Sequence, residues 1–521
     1  MLFTGGNRTR QLLHLRRNML KMDISRIRHE GLRSLVTTAE KAAALFEDGM
    51  LVGASGFTKS GDSKLVLPAL AERAKTEDIK ITLMTGASLG HGTDGKMAEA
   101  GLLHKRMPFQ VDPVLRSKIN SGEVLFIDQH LSETAELVHG FFPPLDIAVI
   151  EVAYIMEDGS IVPTTSVGNS VSFAALAKKV ILEINSTVPE NIYGIHDIFL
   201  QDDYPHRNYI PIITPDVRVG RKSIPLDPAK VAAIVFTDMQ DSPADIAAPD
   251  AKTTAIASHL IRFFENEVAA GRLTDRLLPL QAGIGKVANA VLAGMEKSNF
   301  YDLTMYSEVL QDSTFDLLDA GKLRFASASS ITVSEECYKR VFSNLAFYRD
   351  KIVLRPQNIS NSPGLIRRMG IIAINTAIEF DIYGNVNSTH IGGTHIMNGI
   401  GGSGDFARNS YLSIFVTQSC SKNGSISHVV PMVSHVDHNE HDVDVLVTER
   451  GFADLRGLAP RERALKIIEI CAHPEYKEEL RSYFERACAR YEGQTPHILE
   501  EALSWHVNYR DHGSMKVREL V

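Results

Sequence analysis

One glutamate stands where an α/β enzyme carries a reactive group. Tyr306-Ser307-Glu308-Val309-Leu310-Gln311-Asp312 follows the strand-like run Leu303 to Tyr306 and precedes a helical stretch beginning near Asp312. A carboxylate there can attack an activated carbonyl and carry a covalent intermediate. It can equally be an acid drawn to the positive end of a helix. Glycine gathers at four further places: Gly53-Ala54-Ser55-Gly56-Phe57, Gly283-Ile284-Gly285-Lys286, Gly399 to Phe406, and Thr448-Glu449-Arg450-Gly451. Open α/β sheets bind ligands in loops at the carboxyl ends of strands. Glycine-rich loops there offer backbone N–H groups to anions or to a developing oxyanion, although a tight turn also favours glycine. Gly399-Ile400-Gly401-Gly402-Ser403-Gly404-Asp405-Phe406 holds four glycines in eight residues, more than a turn needs.

Three other chemistries compete. A dinucleotide fingerprint needs G-x-G-x-x-G after a first strand; Gly283 and Gly285 are followed by Ala288, and Leu277 to Leu280 makes a poor strand. His435-Val436-Asp437-His438-Asn439-Glu440-His441 has the donors of a metal site. On a loop or extended backbone its rings do not converge easily, so a hydrogen-bonded structural loop stands beside the metal reading. A nucleophile elbow needs Gly-x-Ser-x-Gly, which Gly53-Ala54-Ser55-Gly56 misses by one residue.

The elements that must hold these groups follow an α/β pattern. Buried, β-branched runs at Ile79 to Met84, Val124 to Ile127, Ile147 to Val152, Lys179 to Ile184 and Val231 to Phe236 read as strands of a mostly parallel sheet. Helical stretches such as Thr38 to Phe46 and Leu65 to Ala74 lie between them. The pattern begins again with a helix from Thr253 to Gly271 and strands at Leu303 to Tyr306, Ile371 to Ile374, Tyr411 to Thr417 and Val443 to Thr448. Charged helical sequence from Pro460 to Trp505 closes the chain. The proline-rich stretch from Tyr204 to Pro228 reads as a connector, which divides the chain into residues 1–25, 26–230 and 231–521, with the main boundary good to about ten residues.

Composition narrows the function. The 521 residues carry 55 Lys and Arg against 63 Asp and Glu, a net charge of −8, which argues against a nucleic-acid partner. No run of 18 uncharged apolar residues offers a membrane span. Four scattered cysteines, with no CxxC pair, favour a reducing compartment over a disulfide scaffold. Before Asp23 the chain is basic and free of acids. That segment is either a mitochondrial-type targeting signal or else a disordered tail or the product of an upstream start, with Met19 or Met22 the natural beginning. The expected location is the cytoplasm, with the mitochondrial matrix the alternative.

Together these motifs resemble the acetyl-CoA hydrolase/transferase family, a branch of the class I CoA-transferases, in particular the propionyl-CoA:succinate and succinyl-CoA:acetate kinds. The resemblance runs from about residue 30 to about residue 515. It rests on Ser55-Gly56-Phe57-Thr58, Leu83 to Ser88, Met107-Pro108-Phe109-Gln110, Tyr306 to Gln311, Arg355-Pro356-Gln357, Ile359-Ser360-Asn361, Gly399 to Phe406, the His435 loop, Thr448-Glu449 and Ala453 to Gly457. It implies two NagB/RpiA-like open-sheet domains with the active site between them, and a homodimer. It implies Glu308 as nucleophile, Asn361 and the Gly402 N–H as oxyanion donors, Glu449 as a supporting acid, and Gln110 beside the carboxylate substrate. Coenzyme A, a substrate and covalent intermediate rather than a resident cofactor, is implied at Gly283, Ile284, Gly285, Lys286, Val287, Asn398, Gly402 and Lys422. The implied partners are acyl-CoA and short-chain carboxylates. The family uses no metal, which implies a structural His435 loop. Transfer between acyl-CoA and a carboxylate is the leading expectation, and short-chain acyl-CoA hydrolysis the alternative.

Overall fold

The structure is a computed structural model that describes residues 23–244 and 248–516. The basic segment 1–22, with its two readings, lies outside the described residues. Two open sheets carry the chain. The first runs parallel in the order Leu125–Phe126, Leu103–Met107, Ile81–Met84, Leu51–Ala54, Ile147–Ile155, Lys179–Asn185, Val231–Thr237, with Ile161–Pro163 antiparallel beside Ile147–Ile155. The second repeats the plan as Ile352–Leu354, Leu323–Ala328, Leu303–Tyr306, Leu280–Ala282, Ile372–Thr376, Leu412–Val416, Val445–Thr448, and Gly451–Asp454 closes its edge antiparallel. In each sheet the chain starts at an inner strand, Leu51–Ala54 or Leu280–Ala282, builds to one side, then returns to build the other. That reversal leaves a crevice beyond the carboxyl end of the inner strand, where open sheets bind ligands.

Central parallel strands bury both faces, so they read as continuous apolar runs. Ile147–Ile155 is buried at every position. Glu151, the acid within that run, is neutralised internally: its carboxylate meets the buried Lys64 ammonium and accepts Thr164 Oγ1 at 2.7 Å. Asp62 and Asp241 share the same lysine. Burial still pushes the Glu151 carboxyl up to about 8, against the pull of Lys64. Leu277 to Leu280 is a poor strand by sequence, yet Leu280–Ala282 is an inner strand of the second sheet. At its centre Gln281 is fully buried, accepting the Ile374 N–H at 3.1 Å and donating to Asn375 Oδ1 at 3.2 Å. A satisfied amide has taken the place of the apolar residue that usually marks such a strand.

The stretch from Tyr204 to Pro228 is a strap within the first half, not the connector between the halves, and the boundary falls after Thr237 rather than at 230. It leaves the first sheet after Lys179–Asn185 and rejoins it at Val231–Thr237, so the chain crosses to the second sheet only after Thr237. On the way it lies along the second half. Arg355 donates to the carbonyls of Pro215 and Val217, Arg368 to those of Ile210 and Ile212, and Arg218 to those of Arg349 and Ile352. The Arg355 guanidinium is fully buried against Asp197 of the first half. Asp197 also accepts the Val219 N–H at 3.0 Å and the Gly220 N–H. Removing one partner of a buried pair strands the other charge. Asp197→Ala is therefore expected to cost about 3–5 kcal/mol of stability, read as a lower urea midpoint; a loss below about 1 kcal/mol would show the pair to be dispensable.

Candidate active site

Loops from both crevices line one cavity of about 410 Å³: Phe57, Thr58 and Lys59 follow Leu51–Ala54, and Gly283, Ile284 and Gly285 follow Leu280–Ala282. Glu308 stands on its wall, just beyond Leu303–Tyr306 and before the helix Asp312–Asp319. Its main chain is fixed, because the Ser329 and Ser330 N–H groups donate to the Glu308 carbonyl at 2.9 and 3.2 Å. Its Oε1 accepts Asn361 Nδ2 at 2.8 Å. Asn361 is fully buried at the end of the short helix Gln357–Ser360, and its Oδ1 has no partner among the described residues.

Gly402 closes the other side. A β-carbon built there would stand 1.6 Å from Glu308 Oε1 and 2.3 Å from Asn361 Nδ2. Its φ of −92° is open to any residue, so space rather than backbone freedom requires the glycine. Its N–H makes no hydrogen bond with the described residues. The glycine loop belongs to the second half but rests on the first. Ile400 N–H donates to Asp128 Oδ1 at 2.8 Å, Leu131 N–H to the Gly401 carbonyl at 3.3 Å, and Ser132 to Asp405 through its N–H at 3.0 Å and its Oγ at 2.6 Å.

Burial shapes the electrostatics. It pushes the Glu308 carboxyl up to about 7, with the Asn361 hydrogen bond pulling the other way. It raises Asp405 to about 7 despite the Ser132 bonds, and the charge of Glu308 adds to the rise. Asp128 goes up to about 6 for the same reason. Beside Glu308, the residues Phe57, Ala87, Leu131 and Val309 pack with Phe109 into a small apolar cluster that lines the cavity. A carboxylate in such surroundings is poorly hydrated and ready to react when ionised.

The structure brings Glu308, Asn361, Gly402, Gly283, Ile284, Gly285 and Asn398 together at or against this cavity. It does not bring the other expected residues to the wall. Gln110 is fully buried behind it, donating to the Met397 carbonyl at 3.3 Å, while its neighbours Phe109 and Val111 line the cavity. Glu449 follows Val445–Thr448 and accepts both the N–H (2.8 Å) and the hydroxyl of Ser419. Burial would raise its carboxyl, but the Ser419 bonds hold it below the ordinary value. Lys286 is paired with Asp250 at 2.8 Å, Val287 packs on the main core, and Lys422 donates to the Tyr509 hydroxyl at 2.8 Å. The His435 segment is a hydrogen-bonded loop. His435 packs against His390 with the rings tilted and centroids 3.8 Å apart, and Asp437 accepts the Ser388 N–H at 2.6 Å and Thr389 Oγ1 at 2.9 Å. No three His, Cys, Asp or Glu side chains among the described residues converge as a metal site. Sequence reasoning does not reach Asp128 or Leu131. They lie past the two-residue strand Leu125–Phe126, in a loop without a glycine signature, and only the order of the first sheet carries them to the glycine loop.

Two open sheets with paired crevices, and a half-buried carboxyl between them, define an α/β enzyme whose reaction is enclosed by both halves of the chain. The fold is that of RipA from Yersinia pestis, at 21% identity with a TM-score of 0.68 over 89% of this chain and 99% of that one. The chain belongs to the acetyl-CoA hydrolase/transferase family: the N-terminal domain model of that family matches residues 19–236, and the C-terminal domain model residues 338–484. It is 49% identical over 494 residues to the succinyl-CoA:acetate CoA-transferase of Clostridium kluyveri, covering 94% of this chain and 92% of the relative. It is 44% identical over 513 residues to the acetyl-CoA hydrolase of Schizosaccharomyces pombe, covering 95% and 98%. The protein is an enzyme of this family. No helix among the described residues is long and apolar enough to cross a membrane.

Proposed function

We propose that the enzyme moves coenzyme A between a short-chain acyl-CoA and a carboxylate through a thioester formed on Glu308. The observation that carries this reading is the Glu308 carboxyl held between the Asn361 amide and Gly402 inside a cavity with an apolar wall. A Glu308 oxygen attacks the thioester carbonyl carbon; the C–S bond breaks and leaves a glutamyl–acyl anhydride and CoA thiolate. The thiolate then attacks the glutamyl carbonyl carbon, and the acyl group departs as a free carboxylate. A second carboxylate reverses both steps and leaves as the new acyl-CoA. Each attack creates an oxyanion that needs donors already in place, and Asn361 Nδ2 and the Gly402 N–H, unpartnered among the described residues, are suited to supply them. Gly283, Ile284, Gly285 and Asn398 form the wall we assign to coenzyme A.

The same thioester, resolved by water, gives acyl-CoA hydrolysis, so one experiment separates the outcomes. Purified enzyme is given succinyl-CoA with and without acetate or propionate, and both free thiol and new acyl-CoA are followed. We expect new acyl-CoA only with acceptor, at rates far above thiol release. Thiol release that ignores the acceptor would make the enzyme a hydrolase.

A further inference from the structure

Among the described residues lining the cavity, Glu308 is the only anion and Lys59 the only cation. The nearby Lys64 is committed to Asp62, Glu151 and Asp241. No carboxylate of the described residues pairs with Lys59 in the same way. Nor does Lys59 serve Glu308, whose carboxyl is shifted by burial and Asn361, with no cation contributing. The cavity therefore holds an acid and a base that answer to something other than each other.

Lys59 occupies an unfavourable place. Phe57 and Ser60 exchange N–H···O bonds at 3.0 and 3.2 Å around Thr58, with φ of +53°, and Lys59, with φ of +68°. A two-residue turn with both φ positive is the kind that asparagine–glycine pairs fill. Any residue with a β-carbon is disfavoured there. The turn is held all the same. Lys59 N–H donates to the Ser88 carbonyl at 2.9 Å. Thr332 Oγ1, from the second half, donates to the Thr58 carbonyl at 2.9 Å and meets Ser60 Oγ at 3.0 Å. Strained residues fixed by their surroundings cluster at ligand sites.

Resting on the CoA-transfer reading, we propose that Lys59 binds the second carboxylate of a dicarboxylic acyl group and so selects succinyl-type substrates. The turn carrying Lys59 begins at Phe57, which packs with Val309, the neighbour of Glu308, in the apolar wall. In this proposal an acyl group reacting at Glu308 lies along this wall, with the carboxylate at its far end on the ammonium of Lys59, which lines the same cavity. A compact charge on a flexible stem suits that contact. The phosphates of coenzyme A are the other anions such a charge would attract.

The test compares kcat/KM for succinyl-CoA with that for propionyl-CoA, because both carry the same phosphates. In Lys59→Gln the ratio is expected to fall about ten- to hundredfold, as for loss of a hydrogen bond to a charged group. Lys59→Arg keeps most of it. Lys59→Gly shows the same fall with a higher Tm, because glycine relieves the left-handed turn. An unchanged ratio overturns the assignment, and so does an equal fall for both substrates, which gives the charge to coenzyme A. Calorimetric binding of succinate and propionate supplies a readout free of turnover, with selective weakening of succinate expected in Lys59→Gln. Selective weakening in a protein that transfers no acyl group would sink the transfer reading and keep Lys59; transfer with equal binding losses would sink Lys59 alone.

Discussion

Replacing Glu308 by alanine is expected to lower kcat for acyl transfer about ten-thousandfold or more, while coenzyme A still binds. The carboxylate is a reactant in the proposed chemistry, so no neighbour can substitute. Asp405, the other acid with a pKa raised to about 7 near the glycine loop, is committed to Ser132. Transfer within about tenfold of wild type would remove Glu308 from the nucleophile's role. The same residue sets a pH dependence. Attack needs the ionised form, and burial raises the carboxyl to about 7. The kcat/KM profile is expected to fall as pH drops below 7. Asp405 titrates in the same range, and its ionisation and that of Glu308 oppose each other, so the limb is broader than one proton. Stability runs the opposite way. The folded state binds this proton more tightly than the unfolded chain, whose carboxyl is ordinary. The Glu308 contribution to stability is therefore greatest below the ordinary value of 4.5 and declines as pH rises to about 7. Glu308→Gln should accordingly raise Tm more at pH 8 than at pH 5; equal gains at both would contradict the raised pKa.

Gly402→Ala is the second large effect, with kcat expected to fall about a hundred- to a thousandfold and Tm to move by only a few degrees. The added β-carbon would stand 1.6 Å from Glu308 Oε1, which it cannot share. The backbone tolerates alanine at φ −92°. The atoms that must give way, the Glu308 carboxylate and Asn361 Nδ2 at 2.3 Å, are side-chain ends rather than backbone, so the fold survives. What moves is the reacting oxygen, and a displacement of about 1 Å is enough for a hundredfold loss. Rates near wild type would mean that Glu308 reacts from a different position.

Glu308 is legible in the sequence because the strand Leu303–Tyr306 and the helix after it each have a clear pattern, and the residue lies between them. Gly402 is legible as one of a crowd of glycines, but its reason is not, since the need for space arises from Glu308 and Asn361, distant in sequence. The inner strand Leu280–Ala282 is obscured by Gln281, whose burial is satisfied only by partners on another strand. Glu449, Lys286 and Lys422 look alike in sequence to charges that serve a ligand; in the fold they have protein partners. Lys59 gives no signal at all, because Thr-Lys is a poor forecast of a turn that favours Asn-Gly.

The strap has a consequence for how the chain is made. Its anchor Arg355 lies 140 residues beyond Pro215 and 138 beyond Val217. At about 5–20 residues per second, a ribosome needs roughly 7–28 seconds to cover that distance. Once Val231–Thr237 has been made, the first sheet can assemble around it while Asp197 and the strap's carbonyls wait for arginines not yet synthesised. The nascent first half is a finished sheet wearing an unfastened belt, and the emergence of Arg355 and Arg368 buckles it.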